Sequence, residues 1–156
     1  MITPFEDLIQ ELGTTLGLSF HLDPHGACCL QMNEKLRVQI EPDKQEDRII
    51  LAAFIGELNP GRFREDVLKE ALKANAQFIG NGNAGAILGF SARHNQLACH
   101  TFLPILEISP EKLLASLTYL TEHALSWMEA LQSGRAAPPG IQTLHTAPTA
   151  FGKIRP

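Results

Sequence analysis

Arg48–Ile55, RIILAAFI, sets seven apolar residues in a row behind an arginine and ahead of Gly56. A strand with one wet face alternates apolar and polar residues. This one is apolar on both sides: Ile49, Leu51, Ala53 and Ile55 fall on one, Ile50, Ala52 and Phe54 on the other. The run is far short of the ~20 residues that cross a bilayer as a helix. Both faces are therefore expected to lie under protein. Either this chain has enough helix to cover both, or a second chain supplies one lid.

Downstream, Asn59-Pro60-Gly61 breaks the chain, and Arg62–Ile79 reads as a helix. Its apolar face is wide: Phe63, Val67, Leu68, Ala71, Leu72, Ala76, Phe78 and Ile79. Gly80–Gly85 is a loop, and Ala86–Phe90 and Gln96–Leu103 are strands. Ser109-Pro110 caps a helix over Glu111–Gln132, which Gly134 stops. Upstream, Pro42–Asp47 is a polar loop. In Lys35–Glu41, Leu36, Val38 and Ile40 alternate with Arg37, Gln39 and Glu41, a strand with one dry face. Asn33-Glu34 turns it back onto Ala27–Met32. Ser19–Leu22 is extended and Asp23–Gly26 is a turn. Thr3-Pro4-Phe5-Glu6 carries a capping box, and Phe5, Leu8, Ile9, Leu12 and Leu16 then make a helical stripe that ends at Gly17. The order is α-β-β-β-α-β-β-α. It predicts an α+β domain with a twisted antiparallel five-stranded sheet and three helices.

At 156 residues the chain is one domain. Hydrophobic residues at 44% and charged ones at 19% describe a soluble globular protein. Residues 134–156 hold four prolines, three basic residues (Arg135, Lys153, Arg155), no acid and no periodicity. They read as a flexible tail on a 1–133 domain. The domain itself is acidic, with all 17 Asp and Glu residues. It should repel nucleic acid and anionic lipid and suit a basic or neutral polypeptide. The N-terminal MITPFEDLIQEL lacks the basic region of a secretory signal. Cys28, Cys29 and Cys99 are an odd set with an adjacent pair, which predicts reduced, buried thiols in a cytosol.

Signals of chemistry are weak. Gly80–Gly85, GNGNAG, fits G-x-G-x-x-G by letter. A dinucleotide site needs that motif after a strand and before a helix, and here the order is reversed. His21, His25, Cys28 and Cys29 are zinc-type donors, but adjacent cysteines on a strand diverge. Cys99 and His100 diverge for the same reason, so neither can serve the other as nucleophile and base. His94 and His123 read as surface residues, and Trp127 as core. No carboxylate pair stands out. The expectation is no enzyme, no cofactor and no metal.

The segments ELGTTLGL (11–18), LDPHGACCLQMNEKLRVQIEPD (22–43), DRIILAAFIGELNP (47–60), LKEALKANAQFIGNGNAGAILGF (68–90) and ISPEKLLASLTYLTEHALSWMEAL (108–131) together resemble the class I type III secretion chaperones, the CesT/SycE-like family. The resemblance spans about residues 5–132 and rests on order and spacing. It implies a small acidic homodimer in the bacterial cytoplasm, without catalysis or membrane insertion. Such a dimer binds the N-terminal segment of a secreted effector, keeps it non-globular and presents it to the secretion apparatus, including its ATPase.

The resemblance also assigns the second helix to a twofold interface, through Leu68, Leu72, Ala76 and Ile79. The remaining apolar patches, drawn from Phe5, Ile9, Leu12, Leu30, Met32, Val38 and Phe54, would receive the effector segment. An extended client could also add a strand to a sheet edge. The alternative is a regulatory or scaffold module of the same fold with no secreted client. From the residues alone, surplus apolar surface points to an interaction site in either case.

Overall fold

Thr3 starts the first helix, α1 (Pro4–Leu16), through the reciprocal contacts expected of it. Its hydroxyl accepts from the Glu6 N–H at 3.2 Å, and the Glu6 carboxylate accepts from the Thr3 N–H at 2.6 Å. That backbone hydrogen bond holds the Glu6 carboxyl below its ordinary pKa. Gly17, at φ 66, ends the helix in the left-handed region. Gly13 is needed inside the helix because a Cβ there would lie 2.6 Å from the Leu18 carbonyl oxygen. This computed structural model describes residues 1–80, 85–139 and 154–156.

The strands are β1 (Cys28–Met32), β2 (Leu36–Asp43), β3 (Arg48–Glu57), β4 (Ile87–Ser91) and β5 (Gln96–Pro104). The β1–β2 turn places both Asn33 (φ 51) and Glu34 (φ 61) in the left-handed region, and the Lys35 N–H donates to the Met32 carbonyl at 3.2 Å. That geometry matches the twist of the strands it joins. The sheet runs β4-β5-β3-β2-β1, and every neighbouring pair is antiparallel. The stretch RIILAAFI thus lies at the centre of the five. The helices α2 (Arg62–Gly80) and α3 (Pro110–Gln132) complete the predicted order. A short 3-10 turn, Ile105–Glu107, precedes α3 where the sequence reading had no element.

One face of the sheet carries the core. α3 crosses β3 and also reaches β2 and β5, and α1 packs beside α3. Ile49, Leu51, Ala53 and Ile55 point into this layer with Leu30, Met32, Val38, Ile40, Leu97 and Cys99. Leu113, Leu117, Leu120, Ala124 and Trp127 of α3 meet them, as do Phe5, Leu8, Ile9 and Leu12 of α1. Each large aliphatic side chain enclosed there contributes roughly 1.5–3 kcal/mol. The apolar interior is one contiguous cluster.

Three expectations change. His123 is not a surface residue: it is buried in α3, and burial takes its pKa down to about 4. The thiols are not all buried, because Cys28 and Cys29 alternate on β1 and Cys29 faces out. The end of the tail pairs with the sheet: Ile154–Arg155 form a sixth, two-residue strand, β6, antiparallel to β1. The intervening residues 140–153 lie outside the described residues.

Candidate interaction surfaces

No helix among the described residues covers the second face of β3. Burial alternates strictly along the strand, with Ile49, Leu51, Ala53 and Ile55 enclosed and Ile50, Ala52 and Phe54 only half-buried. The register extends this open face sideways. Ile50 is opposite Phe102, Ala52 opposite His100 and Phe54 opposite Ala98 on β5, and His100 is opposite Ile87 of β4. Toward β2 the same face turns polar, through Arg37, Gln39 and Glu41. Two arginines roof the aromatic rings. The Arg48 guanidinium lies 4.1 Å from the centre of Phe102, and that of Arg37 5.0 Å from the centre of Phe54. Their stems and cation–π contacts shield part of the apolar surface while the charges stay wet. Arg48 is held in place by Asp43 at 2.9 Å and Glu46 at 2.7 Å. His100 meets Phe102 edge-on, and partial burial lowers its pKa.

α2 sits against the β4 edge. Val67, Ala71 and Ala74 face inward, and small residues there let the helix come close. Asn75 does the work of a neighbouring strand: its side-chain NH₂ donates to the Leu88 carbonyl at 2.8 Å and its oxygen accepts from the Leu88 N–H at 2.9 Å. The outer edge of β4 is thereby blunted, as exposed edges in soluble proteins usually are. The outward side of α2 holds Leu72, 70% exposed, with Ala76 exposed one turn on and Leu68 half-buried one turn back. Phe63 is 42% exposed on the same helix.

The residues that the sequence assigned to interaction sites separate cleanly. Phe5, Ile9, Leu12, Leu30, Met32 and Val38 are all buried in the core of this chain. Apolar periodicity marks a buried face without saying what buries it, and here the sheet and two helices do so. Ile9 alone among the six also lines a surface recess of about 310 Å³, between the first turns of α1 and Phe20–Leu22. Phe54 is on the open face. Leu68, Leu72 and Ala76 lie together on α2, whereas the side chain of Ile79 lies outside the described residues. The sequence reading did not select Ile50, Ala52, His100, Phe102 and Ile87. The signal for the first two was present in the doubly apolar run itself.

The titratable groups singled out by the sequence lie in separate surroundings. Burial pushes the Cys28 thiol up to about 11 and the Cys99 thiol up to about 12, away from a reactive thiolate. His21 and His25 are exposed at a turn, where the Asp23 carboxylate accepts from the His25 and Ala27 N–H groups. No group of three metal-type donors occurs among the described residues. Of the Gly80–Gly85 motif, residues 81–84 lie outside the described residues. No helix among the described residues is long and apolar enough to cross a membrane.

The α+β layer thus leaves one sheet face half-buried and one stripe of α2 exposed. The family model of the Tir chaperone protein (CesT) family matches residues 7–128. The chain belongs to the CesT family. No curated protein matches it in sequence. Among solved structures, the fold is similar to that described as the HopA1–SchA chaperone–effector complex. There the TM-score is 0.70 at 18% identity, over 81% of this chain and 94% of that one. It is similar also to the ExsC–ExsE complex, at TM-score 0.67 and 21% identity, over 80% and 91%. A third is the Yersinia pestis type III secretion chaperone SycH with a stable fragment of YscM2, at 0.59 and 17%, over 78% and 97%. At these identities the likeness establishes a shared fold. This CesT-family chain thus has the α-β-β-β-α-β-β-α secretion-chaperone architecture that its sequence predicts.

Proposed function

We propose that this chain is a type III secretion chaperone of the bacterial cytoplasm. It acts as a homodimer, binds the N-terminal segment of a secreted effector, keeps that segment non-globular and delivers it to the secretion apparatus, with the ATPase as a partner there. The observation that carries this reading is the half-open apolar side of β3. Ile50, Ala52 and Phe54 form a strip of core-like sequence that is only half-buried, with no helix among the described residues above it. Two surfaces call for two occupants. The α2 stripe of Leu68, Leu72 and Ala76, continued by Ile79 in the sequence, suits a second copy. The open face with Phe54, and the recess floored by Ile9, suit the apolar anchors of an uncoiled segment. The acidic body favours a segment that is neutral or basic. Membership of the CesT family and the chaperone–effector complexes among the similar folds support the same assignment.

The test is co-expression with the first hundred or so residues of a secreted protein encoded beside this gene, followed by sedimentation of the purified complex. Two chaperone chains per segment, with the segment still protease-sensitive outside the contact, is the expected result. A monomer at micromolar concentration that captures no segment overturns the proposal. A dimer that captures none indicates instead a regulatory or scaffold module.

A further inference from the structure

The two edges of the sheet are treated differently. α2 and the Asn75 side chain seal β4. At the other edge, Leu22 bridges the first residue of β1, Cys28, and among the described residues the far end of β1 is covered by Ile154–Arg155, with Gln31 opposite Arg155 and Met32 opposite Ile154. The Arg155 guanidinium reaches Glu34 at 3.2 Å, just past the end of β1. We propose that the outer edge of β1 is a strand-docking site whose resident occupant is the C-terminal segment of this same chain. That segment is a self-strand, and any extended partner must displace it.

Three observations support this. Without β6, β1 beyond its Cys28–Leu22 bridge would present unpaired backbone donors and acceptors, the template on which a further strand forms. The charges are complementary, since residues 134–156 hold three basic residues and no acid, whereas every acid of the protein, Glu34 included, precedes them. The contact is also weak by construction. It spans two residues, and its ion pair is solvent-exposed, with the Arg155 side chain 71% accessible. The net gain from a few backbone hydrogen bonds is of the same size as the cost of ordering two residues. Tethering raises the local concentration of the segment enough to fill the edge, yet leaves it displaceable by a longer strand. The consequence for an effector segment rests on the function proposed above; the occupancy itself does not.

The test needs no effector. In the full chain, Ile154→Pro with Arg155→Pro removes both backbone donors of β6. Amide hydrogen exchange at Cys29–Asn33 should become several-fold faster, with β4 and β5 unchanged. A synthetic peptide of residues 150–156, AFGKIRP, supplied at millimolar concentration, should restore the protection in this variant and add none to the natural chain. Separately, Arg155→Glu should loosen the edge, and Glu34→Arg in the same chain should recover it. Exchange at β1 that is identical in the natural and doubly substituted chains overturns the proposal. So does a peptide that protects both chains equally or neither.

Discussion

The two faces of β3 are built from the same kinds of residue and meet opposite fates. Ile49, Leu51, Ala53 and Ile55 are sealed beneath α3 and α1, whereas Ile50, Ala52 and Phe54 remain half-open, with Arg37 over Phe54 and Arg48 over the neighbouring Phe102. Both sets are apolar enough for a protein interior. The difference lies in the number of helices available, because the third one, α2, is used at the β4 edge and not as a second lid. The lesson is that a core-like strand sequence demands cover without specifying which chain supplies it.

The largest test of that contrast removes equivalent bulk from each face. Leu51→Ala should cost about 2–5 kcal/mol of stability, because it leaves a cavity in a fully enclosed layer. Ile50→Ala should cost only about 1 kcal/mol in the isolated chain, while weakening whatever binds the open face. Denaturant unfolding of both variants, with binding measured alongside, checks this. Equal losses of stability would mean that the second face is covered in the free chain.

The two faces also differ in acid. His123 on the covered side is neutral when folded, its pKa taken from the ordinary 6.5 to about 4 by burial. The unfolded chain therefore binds a proton first. The stability that depends on keeping this imidazole neutral is fully present above pH 6.5 and is lost as pH falls toward 4. The loss is about 3 kcal/mol in all. Melting curves between pH 7 and 4.5 should record it, and His123→Leu should flatten that slope. His100 on the open face is lowered in the same sense by partial burial. A partner that covers it should lower it further, measurable by NMR titration with and without that partner.

Asn75 sharpens the comparison at the sheet edge. Asn75→Leu leaves the Leu88 N–H and carbonyl without the partners they now have, at a cost of about 1–3 kcal/mol. It should also raise the tendency of β4 to pair with other chains. Concentration-dependent light scattering reads that outcome. The smallest effect on the isolated chain is expected at Leu72, which is 70% exposed. Leu72→Asp should shift stability by less than about 0.5 kcal/mol, yet sedimentation should move from dimer to monomer, since an unpaired charge in a dry interface is costly. An unchanged dimer would place the twofold contact elsewhere.

Much of the fold is legible in the sequence. Thr3 and Glu6 marked the first helix by a pair of side-chain–backbone bonds that need only local sequence. Asn33-Glu34 marked the hairpin, since the strands on either side share one apolar rhythm. The candidate sites were less legible. Met32 and Val38 were equally consistent with core and with a binding patch, because hydrophobicity does not record its partner. His123 read as polar surface, but in the fold it is buried and stacks on Tyr119 one turn away. The tail gave no period, and its last residues found a strand partner far away in sequence.

The sequence by itself determined the element order, the antiparallel α+β class and the presence of surplus apolar surface. Those properties follow from the spacing of residues along a chain and from caps and turns that close within a few positions. Only the tertiary structure decided which apolar residues the chain hides for itself, that α2 seals an edge and not a face, and that the C-terminus lies on β1. These are outcomes of competition among distant segments for the same surfaces, and no local pattern encodes the winner.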